Sequence, residues 1–148
     1  MTLRLALLGS TGLAIAAVGI AAPRPAAAQA ASMDCAALAA TALPDAKVTL
    51  AQAVPAGTFT PPSAGAAGVN GAPPVRPIAV PAFCRVAATL TPSADSDIKV
   101  EVWLPRAWNG KFMMVGNGGW SGSITYPALG DALNRGYAAA STDTGHEG

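Results

Sequence analysis

Four glycines, Gly116, Gly118, Gly119 and Gly122, crowd into one short stretch directly after an apolar run that ends at Val115. Without a Cβ, such a stretch can adopt positive φ and bring bare backbone N–H groups close to a ligand. At the carboxyl end of a buried strand, this is where α/β proteins bind what they act on. Three chemistries compete for it. A dinucleotide fingerprint requires G-x-G-x-x-G, but counting from Gly116 places Ser121 at the sixth position. The acidic residue expected at the end of a second strand is also missing at the required distance, since Asp143 lies later. A phosphate loop requires Gly-Lys-Ser/Thr, which does not follow. The third is an oxyanion loop, in which N–H groups stabilise the negative oxygen of a tetrahedral acyl-transfer intermediate. The glycines alone are equally compatible with a turn that does no chemistry.

The nucleophile that such a loop would serve is not evident. Gly119-Trp120-Ser121-Gly122-Ser123 has a glycine two positions before Ser121 but a serine two positions after it, so it departs from the G-x-S-x-G elbow. Ser123 has no glycine at the second position on and fares no better. His146 is the only histidine, and Asp143 lies three residues before it. A serine esterase needs a histidine base oriented by a carboxylate. Two residues this close in a loop are poorly placed for that geometry, and the base ordinarily follows the nucleophile and the acid in this fold class. The reading for both is structural. Trp103 and Trp108 read as packing residues. Trp120 does too, although it could wall a pocket for an aromatic ligand. Lys99 and Glu101 read as the solvated face of a strand.

The elements that must position these residues follow from periodicity. Ile98, Val100, Val102 and Leu104 alternate with Lys99, Glu101 and Trp103, a half-buried strand. Phe83–Leu90 reads as its antiparallel partner across the turn Thr91–Ser96. Lys111–Val115 is a short apolar strand, consistent with burial on both faces. Tyr126, Leu129, Ala132 and Leu133 have helical spacing, and Gly136 fits the position just past the helix end. Tyr137–Thr142 is another strand, so residues 111–142 form a βαβ unit, which demands parallel strands. An antiparallel start followed by βαβ suggests a mostly parallel sheet with an antiparallel edge. Upstream, Cys35–Leu43 is a short helix candidate with Asp34 as its N-cap, and Lys47–Val54 alternates as a strand. Residues 55–82 are rich in Pro, Gly and Ala without a period and read as an extended surface segment.

Bulk properties narrow the partners. Residues 1–30 read as a secretory signal: Arg4, an uncharged stretch Leu5–Ala22, then Ala26-Ala27-Ala28 before Gln29, with cleavage after Ala28 or Ala30. The alternative is an uncleaved anchor, weakened by Gly9, Ser10, Gly12 and Gly19. Loss of Arg4 and Arg24 leaves seven basic against eight acidic residues, so the mature chain is near neutral and has no basic patch for nucleic acid. In an oxidising compartment Cys35 and Cys84 most simply pair, closing a loop of about 50 residues for ~4 kcal/mol; two unpaired buried thiols are the alternative. One histidine and two cysteines cannot build a zinc site.

Several segments together resemble the tannase and feruloyl esterase family of α/β-hydrolases. They are Ala82-Phe83-Cys84-Arg85-Val86, Val102-Trp103-Leu104-Pro105 with Trp108-Asn109-Gly110-Lys111-Phe112, Gly116–Gly122, and Ser141–His146. The resemblance implies the N-terminal part of an α/β-hydrolase sheet, an antiparallel pair followed by the βαβ unit, and an exported carboxylic ester hydrolase acting on esters of gallic, ferulic or related aromatic acids. It implies a Cys35–Cys84 disulfide. It implies that Gly119 offers an oxyanion-hole N–H, with Gly118 and Trp120 as candidate substrate contacts. Family members are several hundred residues long. Their nucleophile lies in a later Cys-Ser-x-Gly-Gly motif, and the acid, the base, a lid domain and, in many members, a calcium site come later still. The expectation is therefore 1–30 signal, 31–82 N-terminal extension and 83–148 the first strands of a hydrolase domain whose triad lies outside this chain. No cofactor is expected here, no membrane span after signal cleavage, and a small aromatic ester is the expected partner. A stand-alone exported binding module or an inactive remnant is the alternative.

Overall fold

The computed structural model describes residues 34–62, 76–116 and 122–146. The signal segment and the centre of the glycine loop, including Gly118, Gly119, Trp120 and Ser121, lie outside the described residues. Seven strands are described: β1 Ala46–Val54, β2 Gly57–Phe59, β3 Ile78–Val80, β4 Phe83–Leu90, β5 Ile98–Pro105, β6 Phe112–Met114 and β7 Ala138–Thr142. A 3-10 turn, Ala36–Ala40, precedes β1, and one α-helix, α1 Tyr126–Asn134, links β6 to β7. The N-cap of this turn is Cys35 rather than the expected Asp34, whose Oδ1 accepts the Ala36 N–H at 3.1 Å from one position further back.

Five strands form one sheet in the order β1-β4-β5-β7-β6. The antiparallel β4–β5 pair runs in unbroken register from Phe83↔Pro105 to Leu90↔Ile98. β6 and β7 pair in parallel, with α1 as the crossover, as the βαβ pattern requires. The sheet is nevertheless mostly antiparallel, because β7 meets β5 in the antiparallel sense. The expected mostly parallel sheet is thereby corrected: the βαβ unit supplies its one parallel pair. β6 is likewise not buried on both faces. It lies at the end of the strand order, and Phe112 and Met114 are 60% and 54% exposed.

Residues 55–82 are not uniformly irregular. β2 and β3 pair as a small antiparallel ribbon, from Gly57↔Val80 to Phe59↔Ile78. This ribbon and α1 cover one face of the sheet. Asn134 of α1 donates to the Ala79 carbonyl of β3 at 3.0 Å. Between them sits the core, built from Val80, Phe83, Trp103, Leu129, Ala132, Leu133 and Ala139. Phe59 meets the Trp103 ring edge-on at a centroid distance of 5.1 Å and Phe83 at 5.8 Å. On the other face, Cys84 is bonded to Cys35, which fastens the 3-10 turn beside β1.

The end of α1 shows why its boundary is legible in the sequence. Gly136 adopts φ +78, its N–H donates to the Leu133 carbonyl at 2.8 Å, and the Tyr137 N–H donates to the Ala132 carbonyl at 3.1 Å. This is a Schellman closure, which favours glycine at that position.

Candidate functional site

β6 and β7 are parallel, so their carboxyl ends open on the same edge of the sheet. The chain leaves that edge at Gly116 and returns at Thr125, the residue that begins α1. Before it leaves, the Val115 N–H donates to the Ala140 carbonyl at 2.8 Å. Thr125 joins the two stems. Its Oγ1 donates to the Gly116 carbonyl at 3.1 Å rather than capping its own helix, and its N–H donates to the Oγ of fully buried Ser141 on β7 at 3.1 Å. Both stems of the glycine loop are thus tied to each other and to β7.

The next residue, Tyr126, connects these stems to a buried carboxylate. Glu101 is 3% exposed and takes side-chain donors from two other elements and from its own strand. Arg85 on β4 forms a two-pronged ion pair with it, with Nε donating to Oε2 at 2.8 Å and the second nitrogen to Oε1. Trp103 Nε1 donates to Oε2 at 2.7 Å, and the Tyr126 hydroxyl donates to Oε1 at 3.0 Å. Phe59 lies under the Arg85 guanidinium, 5.5 Å from its ring centroid. The Glu101 hydrogen bond holds the Arg85 guanidinium more firmly protonated than usual. Burial first, and then the Glu101 charge, push the Tyr126 phenol well above the ordinary phenol range.

The placement of Glu101 on a solvated face is therefore overturned. Alternation on β5 is real, but Glu101 and Trp103 point into the covered side, and only Lys99 near the strand start remains exposed. A signal was present in the residues: a tryptophan two positions from the glutamate belongs on the same face, and a solvent-facing tryptophan is unusual. Trp108 corrects the other way. It is 59% exposed, and its Nε1 donates to the Lys111 carbonyl at 2.7 Å. The Trp108-Asn109-Gly110 motif is a structural turn. Asn109 Nδ2 donates to the Arg135 carbonyl at 2.8 Å, Asn109 Oδ1 accepts the Lys111 N–H at 2.9 Å, and Gly110 has φ +81.

Asp143 and His146 lie in the turn after β7, which Asp143 fastens to the start of β5. Asp143 Oδ1 accepts the N–H of Lys99 at 2.9 Å and of Gly145 at 2.9 Å. His146 Nδ1 is 3.2 Å from Thr144 Oγ1. Among the described residues no group of three His, Cys, Asp or Glu is arranged to hold a metal ion. No described helix is long and apolar enough to cross a membrane.

Comparison with known proteins decides the lineage. The family profile described as "Tannase and feruloyl esterase" matches residues 84–148, from the disulfide cysteine through the tied loop to the chain end. This segment belongs to the tannase and feruloyl esterase family. An uncharacterized esterase of Xanthomonas campestris pv. campestris is 44% identical over 117 residues, which are 78% of this chain and 19% of that protein. Among solved structures, an esterase from Aspergillus oryzae superposes with a TM-score of 0.66 at 30% identity, covering 77% of this chain and 22% of the other. Feruloyl esterase B from the same fungus gives 0.62 at 33% identity, with 79% and 22% covered. The chain thus spans about a fifth of the length of these esterases, and its strands and helix are part of an α/β-hydrolase sheet.

Proposed function

We propose that the protein is an exported serine ester hydrolase for esters of aromatic acids such as ferulic or gallic acid, and that this segment carries half of its oxyanion hole. The observation that supports this reading is the glycine loop with both stems fixed at the carboxyl ends of β6 and β7, within a tannase and feruloyl esterase segment. The chemistry needs fixed N–H donors where charge develops, because donors that need not reorganise favour the transition state over the ground state. In this reading the Gly119 N–H is one donor. A serine hydroxyl attacks the ester carbonyl as a histidine takes its proton, the carbonyl oxygen becomes the oxyanion, and the alcohol leaves with that proton. Water then releases the aromatic acid from the acyl-serine. The serine, histidine and aspartate come from the part of the protein that this chain does not span. Gly118 and Trp120 are the proposed ring contacts, and the Cys35–Cys84 bond fits export.

The test is to express the coding sequence to its natural stop codon and to assay the purified, folded protein on methyl ferulate, methyl gallate and 4-nitrophenyl acetate. Turnover of either aromatic ester, abolished by a serine-directed phosphonate, is the expected result. A folded protein that hydrolyses none of the three sinks the reading and leaves a non-catalytic binding module.

A further inference from the structure

Buried ion pairs are costly to desolvate and are seldom kept for stability alone. The pair Arg85–Glu101 is kept under an aromatic cover, and the carboxylate has one further partner outside the sheet: the hydroxyl of Tyr126, in the first turn of α1. The residue before it, Thr125, holds the Gly116 carbonyl and Ser141. Ser141 is the register partner of Glu101 on the neighbouring strand. A continuous chain of hydrogen bonds and sheet pairing therefore runs from Arg85 through Glu101 to Tyr126, Thr125 and both loop stems.

We propose that Glu101, oriented by Arg85, is a positioning residue that acts through Tyr126 to fix the stems of the glycine loop. The inference rests on the esterase reading for its catalytic consequence, and on geometry alone for its structural one. The aromatic body of Tyr126 packs on the core without its hydroxyl, so the hydroxyl is the part specific to the positioning role. The residue's effect on catalysis is indirect: neither Glu101 nor Tyr126 is a catalytic residue.

The test uses the full protein and Tyr126→Phe, which keeps the ring and removes one hydrogen bond to a charged acceptor. Glu101→Gln is the second variant, and Val80→Ala, a core change in β3 outside the cluster, is the stability control. Amide exchange across residues 113–126 should rise about ten-fold in Tyr126→Phe. The kcat should fall about ten-fold with KM changed less than two-fold, because only transition-state contacts are loosened. In Val80→Ala, matched for loss of stability, local exchange and kcat should stay near the parent values. Equal local exchange in Tyr126→Phe and Val80→Ala would overturn the proposal, as would faster exchange in Tyr126→Phe with an unchanged kcat. If the parent protein hydrolyses no ester, the esterase reading has failed, and the exchange measurement decides the positioning role by itself.

Discussion

Two buried carboxylates on adjacent strands of one sheet are satisfied in opposite ways. Glu101, within β5, takes side-chain donors from β4, β5 and the first turn of α1. Asp143, just past β7, takes two backbone N–H groups, one from Lys99 and one two residues along its own turn. The first ties β4 and α1 to β5 through side chains alone. The second closes a turn and secures one strand end. Both contacts need the finished sheet, since Lys99 lies 44 residues before Asp143, but the first draws on side chains of three elements and the second on backbone at one strand end. Sequence inspection puts Glu101 on a solvated strand face and Asp143 in a loop beside His146, and neither set of donors is visible from there.

The sharpest way to break this comparison is to remove the Glu101 charge altogether. Glu101→Leu strands the Arg85 guanidinium under Phe59 and should cost about 3–5 kcal/mol in urea denaturation. A loss below ~1 kcal/mol would mean that the pair is solvated and that the comparison fails. Cutting the Cys35–Cys84 bond comes next. It closes 49 residues and lies on the opposite face from Arg85, so Cys35→Ala/Cys84→Ala should cost about 2–4 kcal/mol. Exchange at Tyr126 should be unaffected by that change, which separates the two faces.

Asp143→Ala should cost about 1–3 kcal/mol and should speed amide exchange at Lys99 and Gly145 well above any change at Thr125. Uniform acceleration through α1 would show that Asp143 also works globally. Gly145→Ala probes the same turn sterically. Gly145 has φ +82, and an added Cβ would lie 2.9 Å from Ile98 Cγ1, so a cost of about 1–2 kcal/mol is expected by thermal denaturation. The smallest effect is a dependence on pH, which is flat around neutrality. The Tyr126 pKa is raised on folding, so its contribution is complete below the unfolded phenol value near 10 and is lost as pH rises through the folded value. The parent's excess stability over Tyr126→Phe should hold constant from about pH 7 to 9 and shrink above about pH 10.

How far the sequence carries depends on the length and locality of each element. β4, β5, α1 and β7 were legible because eight- and nine-residue periods and the Gly136 closure are local facts. The β2–β3 ribbon was not, since two three-residue strands give no period and their pairing is decided by Phe59 packing on Trp103. The sense of the β5–β7 pairing was hidden for the same reason: residues 98–105 and 138–142 read identically in either orientation. Of the site, the position of the glycine loop was legible. The Thr125 bridge was not, and of the Glu101 cluster only the two-residue spacing to Trp103 carried a signal, because the other contacts join residues whose separation has no pattern.

The β2–β3 ribbon also bears on how this region tolerates change. Phe59 and Ile78 are register partners, so whatever chain joins them begins and ends at neighbouring points. The entropy of closing a flexible connection grows only with the logarithm of its length, about 0.6 kcal/mol for each doubling. The ribbon therefore acts as a clasp that isolates the core from the size of the connection above it. An affinity tag or a small reporter domain inserted between Phe59 and Ile78 would load the clasp lightly, making this a natural splice point.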